Sequence, residues 1–518
     1  MTSDLSRWPV IVGVGESRQR SKDLNHAKEP LALMTDALKA AQQDAGVDLW
    51  RAVDGLYVIR QVSWPSDDTP HRLAKQLGMS AKHPVHGPIG GETPIRFLHE
   101  GARAIWHGEC QAVAVVGAEA QYSVNAARAQ GHHLPWSACD PHSDPLRGGD
   151  HQHPLAKTLG VATPATAYPL FEHAAHAHWD LTPAQAHAES AQLWSHLSQV
   201  AAQNPSAWNT QAWRPSDVAE VGPHNRPIAW PYPLRMVANP AVNMGAAFIL
   251  TSRGQALAWG IPTERMVHVM MGAHASDPIN YLERDDLGRS PGQEVVLDAA
   301  RAYAAPASSA PNWPAIELYS CFPVVPKLAR RRLALSPAAP ISCTGGLSFF
   351  GAPLNNYMSH AVCAMVRQMR TQPSGLGLLF GQGGYMTKHH AVILGHAPGD
   401  PGIWDHDGNL QALADRARGA APVLDMTYTG EALVESHTVL FDRESQVRHG
   451  VVVLRSPQGA RLLARVSAND HASLDCLMSA HTRAIGALGS VSTSTDGVPE
   501  WRVTPTHAGR GAATTPSD

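Results

Sequence analysis

The sequence has little excess charge and few cysteines, and both shortages exclude certain classes of protein. Its 518 residues carry 41 basic and 44 acidic side chains, which gives a formal net charge of -3. Such a balance is not typical of proteins that bind nucleic acid or anionic membranes. The six cysteines are scattered without Cys-x-x-Cys spacing. This argues against a zinc knuckle or a disulfide framework and predicts reduced thiols in a cytoplasm.

Long apolar runs are also missing. The first residues lack the apolar core of a secretion signal, and no run approaches the roughly 20 residues of a membrane-spanning helix. Hydrophobic residues nevertheless make up 44% of the chain, enough for sizeable cores in two to four domains. We therefore expect a globular α/β protein without a membrane or nucleic-acid partner.

Strand and helix patterns alternate over the first 120 residues, as in a mixed sheet covered on both faces. The apolar runs predict strands over Pro9–Glu16, Val53–Ile59, Pro84–Ile89 and Gln111–Ala118. Helical periodicity predicts helices over Glu29–Ala45, Thr69–Leu77 and Thr93–His107, with Thr93 as the N-cap of the last.

Composition changes twice further along the chain. Residues 121–238 are rich in His, Pro and Trp, with one clear helical stretch over Pro183–Asn204, and they predict a large loop insertion. A second α/β half then includes the β-type run Ala339–Cys343 and a helix over Asn355–Met369. Beyond about residue 397, strand patterns with little helix predict a small antiparallel barrel.

The expected organisation has five parts. They are a first half over residues 1–120 and 239–262, an insertion over the site at 121–238, a second half at 263–396, a barrel at 397–496, and a disordered tail at 497–518.

The segment Cys343–Tyr357 has the form of an active-site loop. Gly345 and Gly346 follow a β-type run, and glycine there allows backbone N–H groups to approach a ligand. The turn Gly351-Ala352-Pro353 then leads into the predicted helix.

Several motifs together resemble the thiolase superfamily over about residues 8–396. They are T-P-I-R-F-L-H-E-G-A-R-A-I, V-N-M-G-A-A-F-I-L-T-S, L-Y-S-C-F-P, T-G-G-L-S-F-F-G-A-P-L-N-N-Y and G-G-Y-M-T-K-H. Their details are similar to thiolase-like proteins of type one, which are often labelled acetyl-CoA acetyltransferases and carry an extra C-terminal β-barrel.

The resemblance implies a fold of two duplicated α/β halves, layered α-β-α-β-α, followed by that barrel. It implies a coenzyme A (CoA) thioester as substrate or ligand, with no bound cofactor or metal. It also implies a monomer or homodimer, and leaves open a partner protein that binds through the barrel.

The same resemblance shows where this chain departs from a working thiolase. Gly91 holds the place of the nucleophilic cysteine, Ala352 that of the activating histidine, and Gly381 that of the second cysteine. Tyr319 replaces the Asn or His of a further motif. Because the usual covalent relay needs those thiols and that imidazole, it cannot run here.

The candidate polar groups that remain have alternative interpretations. Backbone N–H groups of the pairs Gly345-Gly346 and Gly383-Gly384 would hold a thioester oxygen. Glu92, at a helix start, either acts as a base or caps the helix.

Side chains near the predicted helix that begins at Asn355 form a second group of candidates. Tyr357 and His360, or Asn356 and His360, share a helix face and form either a proton relay or a buried hydrogen-bonded pair. Lys388 and His389 follow the last glycine turn, where a lysine either neutralises a phosphate or enolate or is simply solvated.

Cysteine and histidine elsewhere offer weaker alternatives. Cys321 and Cys343 are either acyl-carrying nucleophiles or inert buried thiols. His132, His133, His142, His151 and His153 have no ordered metal-ligand spacing, and histidine is abundant throughout the chain.

Three functions stay open from the sequence. The first is an enzyme that cleaves or forms a C–C bond in a CoA thioester by retro-aldol chemistry, with Tyr319 and Tyr357 as the leading residues. The second is a non-catalytic acyl-CoA binding or partner protein. The third is acyl transfer through a different cysteine.

Overall fold

The computed structural model describes residues 5–21, 23–140, 146–305, 313–372 and 374–504. Its strands are β1 Pro9–Arg18, β2 Val53–Val58, β3 His83–His86, β4 Ala112–Ala120, β5 Pro227–Ala229, β6 Tyr232–Pro233, β7 Asn243–Ser252, β8 Val267–Ser276, β9 Ala315–Leu318, β10 Gly377–Gly383, β11 Lys388–Gly395, β12 Gly430–Phe441, β13 Val447–Arg455, β14 Arg461–Ser467, β15 Leu488–Thr493 and β16 Pro499–Val503.

Its α-helices are α1 Pro30–Ala45, α2 Thr69–Leu77, α3 Thr93–Trp106, α4 Gln121–Gln130, α5 Pro154–Thr158, α6 Pro164–His178, α7 Pro183–Gln203, α8 Pro215–Ala219, α9 Arg253–Ala258, α10 Pro291–Ala304, α11 Val324–Arg332, α12 Tyr357–Arg370, α13 Gln411–Ala417 and α14 His471–Leu477. A π-helical turn covers Gly346–Phe350. Among the described residues, no helix is long and apolar enough to cross a membrane.

Two α/β halves share one mixed sheet. The strand order is β3-β2-β4-β7-β1-β8-β11-β10-β9, and the halves meet where β1 pairs with β8 through Val10–His268 and Ile11–Val267. Strand β4 is parallel to β2 and antiparallel to β7, and β10 and β11 form an antiparallel pair. Each half therefore combines parallel and antiparallel pairing.

Alternating side chains of β4 enter two different cores, as the two-residue period of a strand requires. Val113 and Val115 belong to the large central core with Phe97 of α3, whereas Ala114 and Val116 pack in the outer core with α1. Helices α3 and α12 contact each other between the two halves, while α1 and α10 cover the outer faces. This layering brings the starts of α3 and α12 together.

The insertion contains more helix than its sequence indicated. Besides α7, it forms α4, α5, α6 and α8, so the prediction of a single clear helix underestimated the helix content. Pro169 lies inside α6, where it suggests a break. The helix persists because every residue from Ala167 to His176 is buried, and the packing of these residues outweighs the backbone hydrogen bond that Pro169 cannot make.

A buried ion pair fastens the insertion to the second half. The Glu172 carboxylate of α6 contacts the Lys327 ammonium of α11, and both side chains are fully buried. The Tyr232 hydroxyl donates to Glu172 at 2.6 Å, and His176 Nε2 lies 2.7 Å from the same carboxylate. Although burial raises the pKa of Glu172, Lys327 and His176 lower it to about 2. The insertion is thus bound to the core by a carboxylate that stays ionised.

The C-terminal strands close into a five-stranded barrel. The order β13-β14-β16-β15-β12 is completed by antiparallel pairing of β12 with β13. The insertion joins this barrel, because Ala229 of β5 pairs with Leu440 of β12. The ring of His173 also stacks on that of His437, with centroids 3.9 Å apart. The barrel therefore packs against the insertion through both backbone and side chains.

Four local predictions need correction. The run Ala339–Cys343 is not a strand, because the Glu317 carboxylate takes the N–H groups of Cys343 and Thr344 that a neighbouring strand would need. The strand predicted over Pro84–Ile89 is shorter and ends at His86.

The other two corrections concern element ends. Thr93 is the first residue of α3 and Glu92 precedes it, so Thr93 is not the N-cap. The tail was predicted to be disordered from residue 497, but Pro499–Val503 pairs with β15 as the last barrel strand. Residues 505–518 of that tail lie outside the described residues.

Candidate functional site

The turn that precedes α3 lies where the two halves meet. Gly90 N–H donates to Asn355 Oδ1 at 3.1 Å, and Asn355 Nδ2 donates to the carbonyl of Arg60 at 2.9 Å. Lys388 of β11 reaches the same turn, with Nζ 2.7 Å from the carbonyl of Ile89. The turn is therefore held by side chains from the second half, although its own residues belong to the first.

Tyr319 fills the space next to Gly91. A Cβ atom built on Gly91 would lie 2.0 Å from the Tyr319 hydroxyl oxygen and 2.6 Å from the carbonyl of Gln382. Both distances are far below van der Waals contact, so only glycine fits at position 91. The structure thus brings together two of the residues that mark the departure from thiolase chemistry.

The Tyr319 hydroxyl is an unengaged donor. The described residues include no hydrogen-bond partner for it, and the side chain is 7% exposed. Burial, followed by the nearby Cys321 and Glu92, raises the pKa of Tyr319 well above its usual value. The phenol therefore stays protonated and is suited to donate a hydrogen bond rather than to act as a base.

Glu92 places its carboxylate beside the same turn. A Cβ on Gly383 would lie 2.0 Å from Glu92 Oε2, and one on Gly90 would lie 2.3 Å from it, so both glycines make room for this side chain. Glu92 is the N-cap residue of α3, but its side chain makes no capping hydrogen bond to the helix.

One oxygen of that carboxylate is free. Glu92 Oε2 is buried and has no hydrogen-bond partner among the described residues, while Oε1 lies 3.9 Å from Lys388 Nζ. Burial raises the pKa of Glu92, and the charge of Lys388 offsets part of that rise. A carboxylate in this state is a stronger base than an exposed one and has an oxygen available for a ligand.

Tyr357, in contrast, hydrogen-bonds to residues that hold the glycine loop in place. Its hydroxyl donates to Glu317 Oε1 at 2.8 Å and lies 2.5 Å from Thr344 Oγ1. Glu317 is fully buried and also accepts from the hydroxyl of Ser342 at 2.7 Å and from the N–H of Cys343 at 3.1 Å. Tyr357 therefore orders the glycine loop, and its edge packs against Tyr319 with ring centroids 5.7 Å apart.

Glu317 and Asn355 were missed by the sequence reasoning. Glu317 is a lone carboxylate in the apolar strand β9, and a buried carboxylate in such a strand must find several donors. That pattern was a usable signal. Asn355 gave none, because its partners Gly90 and Arg60 are hundreds of residues away.

The relay proposed for the α12 helix does not form. His360 Nδ1 lies 2.5 Å from Glu16 Oε1, and the Asn356 amide donates to the carbonyl of Gly117 at 2.6 Å. Glu16 also contacts Arg367. Although burial raises the pKa of Glu16, His360 and Arg367 lower it to about 2. His360 thus joins Glu16 and Arg367 in a cluster that connects β1 to α12, and the Asn356 side chain hydrogen-bonds to β4.

His389 belongs to a helix cap on the other face of the sheet. Its Nε2 lies 2.9 Å from Ser290 Oγ and 3.2 Å from Asp277 Oδ2. Ser290 caps α10, and Asp277 accepts the N–H of Gly292 in the same helix at 3.1 Å. Neighbouring residues on a strand face opposite ways, which separates His389 from Lys388.

The double-glycine loop is closed by its own contacts. Gly345 N–H donates to Ser342 Oγ at 2.9 Å and Gly346 N–H to Thr344 Oγ1 at 3.3 Å. Both glycines have positive φ values, 108° and 77°. A Cβ on Gly345 would meet the backbone N of Ala201 in α7 at 2.4 Å. In this conformation the two amides already have partners, and the insertion lies directly over them.

The remaining motif positions carry no ionisable group. Ala352 is buried, and its N–H donates to the carbonyl of Asn239 at 2.9 Å. A Cβ on Gly381 would meet the side chains of Ile95 at 3.0 Å and Met358 at 3.1 Å, so that surrounding is apolar. Gly384 is itself exposed at the start of the turn between β10 and β11, and its carbonyl accepts from the Tyr168 hydroxyl at 3.1 Å.

Neither candidate cysteine is an activated thiol. Cys321 Sγ accepts from the Gln382 amide at 3.2 Å, and burial raises its pKa to about 12. Cys343 Sγ lies 3.6 Å from the Glu317 carboxylate, and burial together with that charge raises its pKa well above the usual value. Thiolate formation is disfavoured at both.

The histidine-rich segment gathers no ligand set. Among the described residues, no three His, Cys, Asp or Glu side chains lie close enough together to hold a metal ion. His142 of that segment lies outside the described residues.

Comparison with known proteins agrees with this fold. A family model described as the thiolase-like protein type 1 additional C-terminal domain matches residues 410–496. A monomeric SCP2-thiolase-like protein type 1 from Mycobacterium smegmatis is 28% identical with a TM-score of 0.80, covering 96% of this chain and 99% of that one. No curated protein matches the chain.

More distant structures share the fold. An Ltp2–ChsH2(DUF35) aldolase has a TM-score of 0.57 at 19% identity and covers 76% of this chain and 98% of its own. The Acat5 thiolase of Ascaris suum, solved with coenzyme A, has a TM-score of 0.52 at 14% identity, with 75% and 99% coverage.

The two α/β halves have the thiolase fold. With the closed barrel after them, the chain is similar to a thiolase-like protein of type 1, and its residues 410–496 match the additional C-terminal domain of that type. The fold class expected from the sequence is confirmed, and so is the expected resemblance to thiolase-like proteins of type 1.

Proposed function

We propose that this protein cleaves or forms a C–C bond in a CoA thioester without an acyl-enzyme, with Glu92 as the base and Tyr319 as the hydrogen-bond donor. The observation that carries the proposal is the pairing of a free buried carboxylate oxygen with an unengaged phenol on either side of Gly91. Both groups surround the position at which a thiolase would place its nucleophile.

The chemistry balances without a further reactant. Glu92 takes the proton of a β-hydroxyl group, the bond between the α and β carbons breaks, and the β carbon leaves as an aldehyde or ketone. The electron pair moves onto the thioester as an enolate, which the Tyr319 hydroxyl stabilises. The proton then returns from Glu92 to the α carbon, which yields the shortened acyl-CoA.

The test is turnover of a panel of β-hydroxyacyl-CoA thioesters, followed by chromatography of the released acyl-CoA and carbonyl product. Tyr319→Phe is expected to lower kcat by roughly 100-fold or more, the usual loss for one donor to a developing oxyanion. Tyr57→Phe is the matched control, because Tyr57 is another largely buried phenol, on β2. Turnover that survives unchanged in Tyr319→Phe and Glu92→Gln contradicts the proposal.

Binding without catalysis is the second candidate, and the closed glycine loop favours it. Ala201 of α7 covers Gly345, and the loop amides are already engaged, so this conformation offers no oxyanion hole there. Calorimetric titration with CoA and acyl-CoA separates the two candidates. Tight binding with no conversion across the whole panel supports the binding protein and rejects the enzyme.

A thiol-dependent acyl transfer has the least support, because both candidate cysteines have raised pKa values. Cys321→Ser and Cys343→Ser are expected to retain any activity that the protein has.

A further inference from the structure

Among the described residues, Lys388 is the cation that lies within 4.0 Å of the buried carboxylate of Glu92. Its Nζ lies 3.9 Å from Glu92 Oε1, and the Glu92 side chain is 4% exposed against 37% for Lys388. The ammonium can therefore remain hydrated while its charge acts on a carboxylate that water scarcely reaches. Lys388 is the first residue of β11, so its backbone is fixed by pairing with both β8 and β10.

The other charged and titratable groups that face Glu92 are occupied or neutral. Arg96 lies one turn further along α3 and pairs with Glu100 at 2.7 Å. Tyr319 is protonated, since burial raises its pKa. The chain around Gln382 and Gly383 in β10 offers only backbone and amide groups. The counter-charge at Glu92 thus comes mainly from Lys388.

The same ammonium also holds the turn that carries the site. It donates to the carbonyl of Ile89 at 2.7 Å, one residue before Gly90, whose own N–H is held by Asn355. Lys388 and Asn355 lie on two elements of the second half, and their side chains hydrogen-bond to adjacent peptide groups of this turn. Loss of the lysine would remove one of these hydrogen bonds and leave the Glu92 carboxylate without a partner.

We infer that Lys388 is a positioning residue that keeps Glu92 ionised and aims its free oxygen at the site. The inference rests on the proposed function in that it assigns Glu92 the part of base. A buried carboxylate without a partner takes up a proton, and a protonated Glu92 cannot accept one from a substrate hydroxyl. The lysine touches no reacting atom and acts through Glu92.

The first measurement does not depend on catalysis. The thermal midpoint is recorded for the native chain, Lys388→Met, Glu92→Gln and the double variant, at pH 8 and at pH 4. At pH 8, Lys388→Met is expected to lower the midpoint more when Glu92 is present than when it has been replaced. At pH 4 the carboxyl is protonated in every case, and the difference is expected to vanish.

Lys28→Met is the matched control, because Lys28 pairs with Asp36 at 2.6 Å on the exposed surface of the chain. It is expected to leave the coupling at Glu92 unchanged. Additive effects of Lys388→Met and Glu92→Gln at pH 8 would overturn the inference.

The second measurement uses turnover. In Lys388→Met the acid limb of the kcat profile is expected to move about 1–3 pH units toward alkaline, the usual effect of removing an opposite charge at this distance. Lys388→Arg is expected to restore most of the original limb. If the acid limb of Lys388→Met does not move, the inference about Lys388 is wrong and the proposed reaction is unaffected. If the thermal coupling between Lys388 and Glu92 is present but the protein has no turnover, the ion pair is supported and the proposed reaction is rejected.

Discussion

The Tyr319 hydroxyl oxygen occupies the space that any side chain at Gly91 would need, 2.0 Å from the position of its Cβ. In a thiolase the equivalent space belongs to the nucleophile, as the motif resemblance implies. A side chain at position 91 and the Tyr319 hydroxyl therefore exclude each other in this packing.

The first prediction concerns this packing. Gly91→Ala is expected to cost about 1–3 kcal/mol of unfolding free energy, the usual cost of overpacking a core. In a Tyr319→Ala background the same substitution is expected to cost less, but not nothing, because the carbonyl of Gln382 also lies 2.6 Å from the new Cβ. Urea unfolding measures both. Gly222→Ala is the control, since a Cβ there meets nothing within 4 Å.

The second prediction separates the two tyrosines. Tyr357→Phe removes a donor from the buried Glu317 and is expected to lower the unfolding free energy by about 1–3 kcal/mol. Tyr319→Phe is expected to change it by less than about 0.5 kcal/mol, because its hydroxyl has no partner among the described residues. Equal losses in chemical unfolding would show that the Tyr319 hydroxyl has a structural partner after all.

The third prediction concerns acid stability. The pKa of Glu16 is lowered to about 2 in the fold, so its contribution is fully present above the unfolded value near 4.5 and is lost as pH falls toward 2. The shift corresponds to about 3 kcal/mol. Glu16→Gln is expected to remove that contribution at pH 7 and to flatten the stability profile between pH 5 and 2. A profile as steep as that of the native chain would contradict the assignment.

The fourth prediction concerns the attachment of the insertion. Lys327→Met leaves the Glu172 charge buried and is expected to cost about 3–5 kcal/mol, with faster proteolysis within residues 121–238. The double variant Glu172→Gln with Lys327→Met is expected to recover part of the loss, because no unpaired charge remains. Limited proteolysis with mass spectrometry measures the sites. Cleavage confined to the barrel would contradict the anchoring role.

Much of the fold could be predicted from local pattern. The strands β1, β2 and β4 and helices α1 and α2 follow directly from apolar periodicity and match their predicted ranges within two residues. Where apolar periodicity predicted the wrong secondary structure, a side chain distant in sequence was responsible. The run Ala339–Cys343 is not a strand because Glu317, about 25 residues away in sequence, binds its backbone.

The candidate site was predicted only in part. Gly91, Tyr319 and Glu92 were named from the motifs, and they do lie together. His360 and His389 share the same sequence neighbourhoods but turn to other partners, Glu16 and Ser290. Sequence spacing gives the face of a helix or strand but not what packs against that face.

By itself, the sequence determined the class of fold, the order of its parts and the residue types at the motif positions, because periodicity and residue identity are local properties. Only the tertiary structure decided that Tyr319 fills the place of a side chain at Gly91, that Glu92 keeps one oxygen free, and that Lys388 stands beside it. Those relations depend on chain segments that are hundreds of residues apart and meet only when the two halves pack.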